Sequence, residues 1–215
     1  MKKIFFKKVL TASLISMMFG QMMYIALVEP KTAIAATAPD TVIVTLNVDA
    51  GISISAPADV VLPALAVGTN TSIGTAAWTV VTNNNAGYKL DVKASASPAL
   101  VSGANSFADY TEGTPGTPDT WSVPSGSKEF GFSARGTAVN TTTWGTGSDC
   151  GTGIVPSATL KYIGFETTDR TIATNGSPTA YAGVATNICF AVEQDTIFAQ
   201  SGTYTATITA TATTL

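Results

Sequence analysis

A chain without a single histidine must draw any chemistry from carboxylates, hydroxyls, lysines and indoles. Asp109, Glu112 and Asp119 gather in the stretch "DYTEGTPGTPD". Paired carboxylates are what glycoside hydrolysis uses, and oxygen-rich loops suit calcium. The D-x-D-x-D-G spacing of a calcium loop is absent, however, and acids in a Gly/Pro loop are more often simply hydrated. A Ser, Thr or Cys nucleophile would need Lys or a carboxylate as its base, because the commonest general base and metal ligand is missing. Lys89 and Lys93 fall on the polar side of an alternating pattern, where solvated charge is the simpler reading. These residues predict no enzyme, no metal site and no cofactor. The indoles offer binding instead. Trp78 in "AAWTVV" reads as core, whereas Trp121 and Trp144 flank loops and, with Asp109, Glu112 and Asp119, would form a contact for a glycan whose ring stacks on an indole. Burial against the end of a sheet is the competing reading for both.

The two cysteines, Cys150 and Cys189, are expected to form a disulfide, because the first residues read as an export signal and pairing is the usual fate outside the cytoplasm. Four lysines within "MKKIFFKKVL" precede an uncharged run from Val9 to Val28, and Ala33 and Ala35 frame a small-x-small cleavage site. The expected organisation is a signal peptide and signal helix over 1–35, followed by one domain over 36–215. An uncut anchor is the alternative, since the uncharged run is long enough to span a bilayer.

Removing Lys2, Lys3, Lys7, Lys8, Lys31 and Glu29 with the signal leaves six basic and thirteen acidic side chains. An acidic chain without a Lys/Arg cluster gains nothing from releasing counterions on phosphates, so nucleic acid is excluded as a partner. The same scarcity argues against a polybasic membrane patch, so no membrane contact is expected once the signal is removed.

Abundant Thr and few charges favour strands over helices. In "TVIVTLNV", Val42, Val44, Leu46 and Val48 share one side of an alternating strand. Ile52 and Ile54 continue the alternation, "AAWTVVT" and "YKLDVKAS" flank the turn cluster "NNNAG" and read as a hairpin, and Phe130 and Phe132 share a side in "KEFGFSA". "ATLKYIGF", "TNICFAVEQ" and "GTYTATITATATTL" are further strands, and "TTDRTIATNGSPTAYAG" reads as a connector. The regions near 98–124 and 135–157 read as exposed loops. Eight to ten short strands predict an all-β fold, an antiparallel β-sandwich of immunoglobulin-like or Greek-key type, with a barrel as the alternative.

The segments "VTLNVDAGISISAP", "AAWTVVTNNNAGYKLDV" and "SGTYTATIT" resemble small secreted bacterial β-sandwich domains, in particular the WxL surface domains, with Trp78-Thr79-Val80 standing where a Trp-x-Leu motif would fall. That resemblance implies non-covalent retention on the cell wall. The ending, with Gly202 and Tyr204, also resembles fimbrial subunits of the pilin and spore coat U type. That second resemblance implies assembly by strand addition between neighbouring surface subunits, with Val42, Val44, Leu46 and Val48 as the donated strand; an ordinary first strand is the alternative reading of those residues. The expectation is therefore an extracellular or cell-surface structural or adhesion protein, with a carbohydrate-binding module as the alternative.

Overall fold

The structure, a computed structural model, describes residues 40–215. The expected signal peptide and its cleavage site lie outside the described residues. The chain divides into two units, 1–47 and 48–215. In the first, the described residues form no strand, and Val42, Val44 and Leu46 are 86%, 86% and 82% exposed. Val48 opens the second unit and is likewise exposed.

The second unit is built from strands. In chain order they are β1 (Ile52–Ile54), β2 (Thr71–Thr82), β3 (Tyr88–Ala94), β4 (Leu100–Ser102), β5 (Asn105–Asp109), β6 (Lys128–Gly136), β7 (Gly151–Thr152), β8 (Val155–Pro156), β9 (Ile163–Gly164), β10 (Arg170–Asn175), β11 (Val184–Gln194) and β12 (Ile208–Thr214). One helical turn, α1 (Thr141–Trp144), interrupts them; the Asn140 side chain caps it by accepting the Thr142 amide. The all-β expectation holds. The sheets are mixed rather than purely antiparallel, because β5 runs parallel to β6. The larger sheet has the order β1-β2-β11-β6-β5-β4, with β9 also beside β6, and the smaller one has the order β10-β3-β12.

Alternation explains the core. Tyr88, Leu90 and Val92 of β3 are buried, while Lys89 and Lys93 between them keep about two-fifths of their side chains exposed. Across from them, Trp78 and Val80 of β2, Phe130 and Phe132 of β6, and Ile188, Phe190 and Val192 of β11 turn to the same apolar cluster, so inward residues of both sheets share one core. Phe132 lies 4.3 Å from Phe165 and 5.4 Å from Trp144, measured between ring centres.

Three expectations need correction. The predicted hairpin is absent: β2 pairs with β1 and β11, whereas β3 pairs with β10 and β12. Turn chemistry specifies a reversal of the chain but does not specify that the two strands share a sheet. Here the 83–87 turn carries the chain from one sheet to the other. Gly87 makes this passage with φ of 82°, and a Cβ there would collide with the Asn175 carbonyl. Second, the presumed connector after Thr167 contains β10, whose pairing shifts register between Thr171 and Ala173. That irregularity breaks the alternation on which the sequence signal rests. Third, the loop regions near 98–124 and 135–157 are only partly exposed. They contain β4, β5 and α1, and they bury Phe107, Tyr110, Val139, Trp144 and Cys150.

Candidate functional site

Two regions of the second unit carry residues that the sequence singles out. The first is the outer side of the larger sheet. Alternation sends Cys189, Ala191 and Glu193 of β11 and Glu129, Gly131 and Ser133 of β6 away from the main core. Such a face would ordinarily meet water, yet Cys189 and Ala191 have no exposed surface and Glu129 is 4% exposed. The 110–122 loop, Cys150, Leu160 and Tyr162 fold over it as a second apolar cluster. The disulfide Cys150–Cys189 forms as expected and ties this cover to the sheet. Gly131 makes the fit possible, because a Cβ there would come within 2.7 Å of Tyr110 Cβ and 3.1 Å of Trp121 Cζ3.

The acids of this region act as internal hydrogen-bond acceptors that tie loop, turn and strand together. Asp109 accepts the Ala99 amide at 2.9 Å and the Ser97 hydroxyl at 2.6 Å. Glu112 accepts the Gly164 amide at 2.8 Å, and Asp119 accepts the Tyr110 hydroxyl and the Gly113 amide, each at 2.7 Å. Glu193 takes the Trp121 indole N–H at 2.6 Å, and Glu129 takes the Thr111 amide at 3.3 Å. Trp121 stacks on Tyr110 with ring centres 4.5 Å apart and is half-buried. Trp144 retains 3% exposure behind Phe132, so its indole has no free face for a sugar ring. The five residues proposed from sequence thus fall into two groups: Asp109, Glu112, Asp119 and Trp121 lie around one loop, and Trp144 lies in the main core. Among the described residues, no group of three His, Cys, Asp or Glu side chains is arranged to hold a metal ion.

Burial sets the electrostatics here. It pushes the Glu129 carboxyl upward against the pull of the Thr111 amide, and the charges of Glu112 and Glu193 push the same way. Burial also raises the Tyr162 hydroxyl to about 12 and, with Asp119 beside it, raises Tyr110 as well. Glu129, Glu193, Tyr110 and Tyr162 were not legible as a group. Glu129 shares parity with Ser133, which reads as a solvent face, and the cover over it comes from residues distant in sequence.

The second region is the seam between β1 and β12, edge strands of different sheets that lie next to each other. On β12, Ile208, Ala210 and Ala212 point inward but are only partly buried, while Thr209, Thr211 and Thr213 face water. The Ser95 amide bonds to the Thr207 carbonyl, and the Leu215 amide to the Gly87 carbonyl. With the antiparallel register, odd-numbered residues of β12 therefore aim their main-chain groups at β3, and Ile208, Ala210 and Ala212 aim theirs at the open edge. The same reasoning applies to β1. Ser55 donates to Thr79, so Ser53 and Ser55 face β2, while Ile52 and Ile54 present amides and carbonyls outward. Ile52 and Ile54 sit opposite the buried Thr82 and Val80 and so point inward, yet each remains 36% exposed. Among the described residues, both edges thus offer unpaired main chain and incompletely covered aliphatic side chains at the same residues. Comparison of the chain with known protein families, curated proteins and solved structures returns no match.

Proposed function

We propose that this chain is an exported, non-catalytic surface protein whose second unit is an incomplete β-sandwich, and that copies assemble when an extended strand from one enters the β1/β12 seam of another. The observation that carries this reading is the coincidence at the seam of outward-facing main chain with incompletely covered Ile52, Ile54, Ile208, Ala210 and Ala212. An edge of this kind is a template for strand addition. The inserted strand must be apolar at every second position and free of intramolecular pairing. Val42, Val44, Leu46 and Val48 meet both requirements: they alternate, and all are exposed. The small Ala210 and Ala212 leave room for the bulkier Val and Leu side chains. The resemblance to fimbrial subunits supports the same reading, and the resemblance to WxL domains supports the cell wall as the surface coated.

Electron microscopy of the purified chain tests the proposal. Fibres or higher oligomers are expected, and removal of residues 36–48 should leave monomer. A synthetic peptide spanning 41–49 should then bind the shortened chain. Intact protein that stays monomeric at high concentration and ignores that peptide overturns the reading.

A further inference from the structure

The loop cover over the larger sheet holds charges with no counter-ion among the described residues. Glu129 of β6 and Glu193 of β11 are direct cross-strand partners, which places their Cβ atoms about 5 Å apart on one side of the sheet. Glu112, on the covering loop, adds a third charge to their surroundings. Among the described residues, the other elements packed against Glu129 place no cation against it. On β5 its partner is Ala108, which brings no charge. From the loop come the Thr111 amide, the Tyr110 hydroxyl held by Asp119, and Trp121 held by Glu193. Lys128 and Phe130, its neighbours in sequence, alternate to the opposite side of the strand. Among the described residues, the ion pairs are Lys89–Asp91, Lys93–Asp169 and Arg170–Glu166, and none involves the three glutamates.

Each of these glutamates is also an anchor of the loop. Glu129 holds Thr111, Glu193 holds Trp121, and Glu112 reaches from the loop to the Gly164 amide on β9. Repulsion between Glu129 and Glu193 acts across the strand pair, and that between Glu112 and Glu129 acts between loop and sheet. A proton on Glu129 relieves that repulsion and still leaves a carbonyl oxygen to accept the Thr111 amide. Glu129 is the most buried of the three, so it loses most when charged. We propose that Glu129, buried beside the charges of Glu112 and Glu193, is the proton-operated catch of a clasp that seats the 110–122 loop firmly in mildly acid surroundings and loosens it as pH rises.

The direction follows from linkage. A carboxyl that holds its proton more tightly in the folded state contributes stability that is complete below its ordinary range and is lost as pH rises through the raised folded value. The clasp is independent of the seam and of any assembly.

Hydrogen exchange of the 110–122 amides at about pH 5 and about pH 8, corrected for intrinsic rates, tests the clasp in the intact chain and in Glu129→Gln. In the unmutated chain, protection of Thr111 and its neighbours should be several-fold higher at the acid pH. Glu129→Gln removes the charge but keeps the acceptor, so the loop should be protected at both values and the difference should collapse. A second variant, Glu193→Gln, should shrink the difference part of the way. Equal protection at both pH values in the unmutated chain overturns the proposal. So does an undiminished difference in Glu129→Gln, or failure of that near-isosteric variant to fold.

Discussion

The two exposed flanks of this molecule are finished in opposite ways. The outer side of the larger sheet is covered by the 110–122 loop, stacked aromatics and a disulfide, until even a glutamate lies under cover. The β1/β12 seam, by contrast, leaves inward-pointing isoleucines partly in water and two rows of main-chain groups unpaired. The same strand chemistry serves both. What differs is whether residues distant in sequence return to cover the strand.

The covered flank and the core beneath it should be the expensive places to perturb. Phe132→Ala, which removes a fully buried ring between Phe165 and Trp144, should cost about 3–5 kcal/mol in chemical denaturation. Reducing the disulfide, or replacing both Cys150 and Cys189 by Ala, frees a loop spanning 39 positions and should cost about 4 kcal/mol on the chain-entropy account. If either change proves mild, the covered flank is less rigid than its packing implies.

Tyr162→Phe sharpens the comparison through pH. The Tyr162 hydroxyl donates to the Cys150 carbonyl and accepts the Ser157 amide, so its loss should cost about 1 kcal/mol near neutrality. The tyrosine holds its proton up to about 12 in the folded state against an ordinary value of 10.0, so the stability it contributes is present below 10.0 and lost as pH climbs toward 12. Thermal melts between these values should fall less steeply for the Phe variant.

The seam should respond the other way around. Ile208→Ala, on a partly buried edge, should cost the monomer only about 1 kcal/mol, yet it should weaken any strand-mediated association measured by sedimentation. A monomer strongly destabilised by that change would mean the seam is already closed within one chain. The smallest effect is expected on the polar face of the smaller sheet. Lys93→Ala removes an ion pair to Asp169 whose members are 41% and 51% exposed, and it should shift stability by less than about 1 kcal/mol.

Much of the fold was legible where the alternation runs unbroken. Tyr88, Leu90 and Val92 point inward, Phe130 and Phe132 share a side, and the last strand divides its Ala and Thr residues as the pattern requires. Legibility failed where three-dimensional neighbours decide the outcome. The Asn-rich turn looks like a hairpin because a tight reversal has the same local chemistry whether its strands pair or part. β10 escaped notice because its irregular register spoils the period, and "ATLKYIGF" yields only the two-residue β9. At the sites, the sequence groups the acids with Trp121 and Trp144 as a ligand contact, whereas the work of the acids as internal acceptors is not legible there. Hydrogen-bond partners such as Gly164 and Glu193 lie 52 and 72 positions away in the chain, beyond the reach of any local pattern. Trp144 reads as a loop residue because its helical turn is only four residues long.

The seam and the exposed segment at 42–48 are different surfaces of one polypeptide. A contact that joins unlike surfaces leaves one of each unspent at every step, and unless the rotation between copies happens to close a ring, growth continues without a natural limit. If copies assemble as proposed, the polymer would have two chemically distinct tips, one offering a strand and one offering a cleft, and capping either tip alone would govern its length.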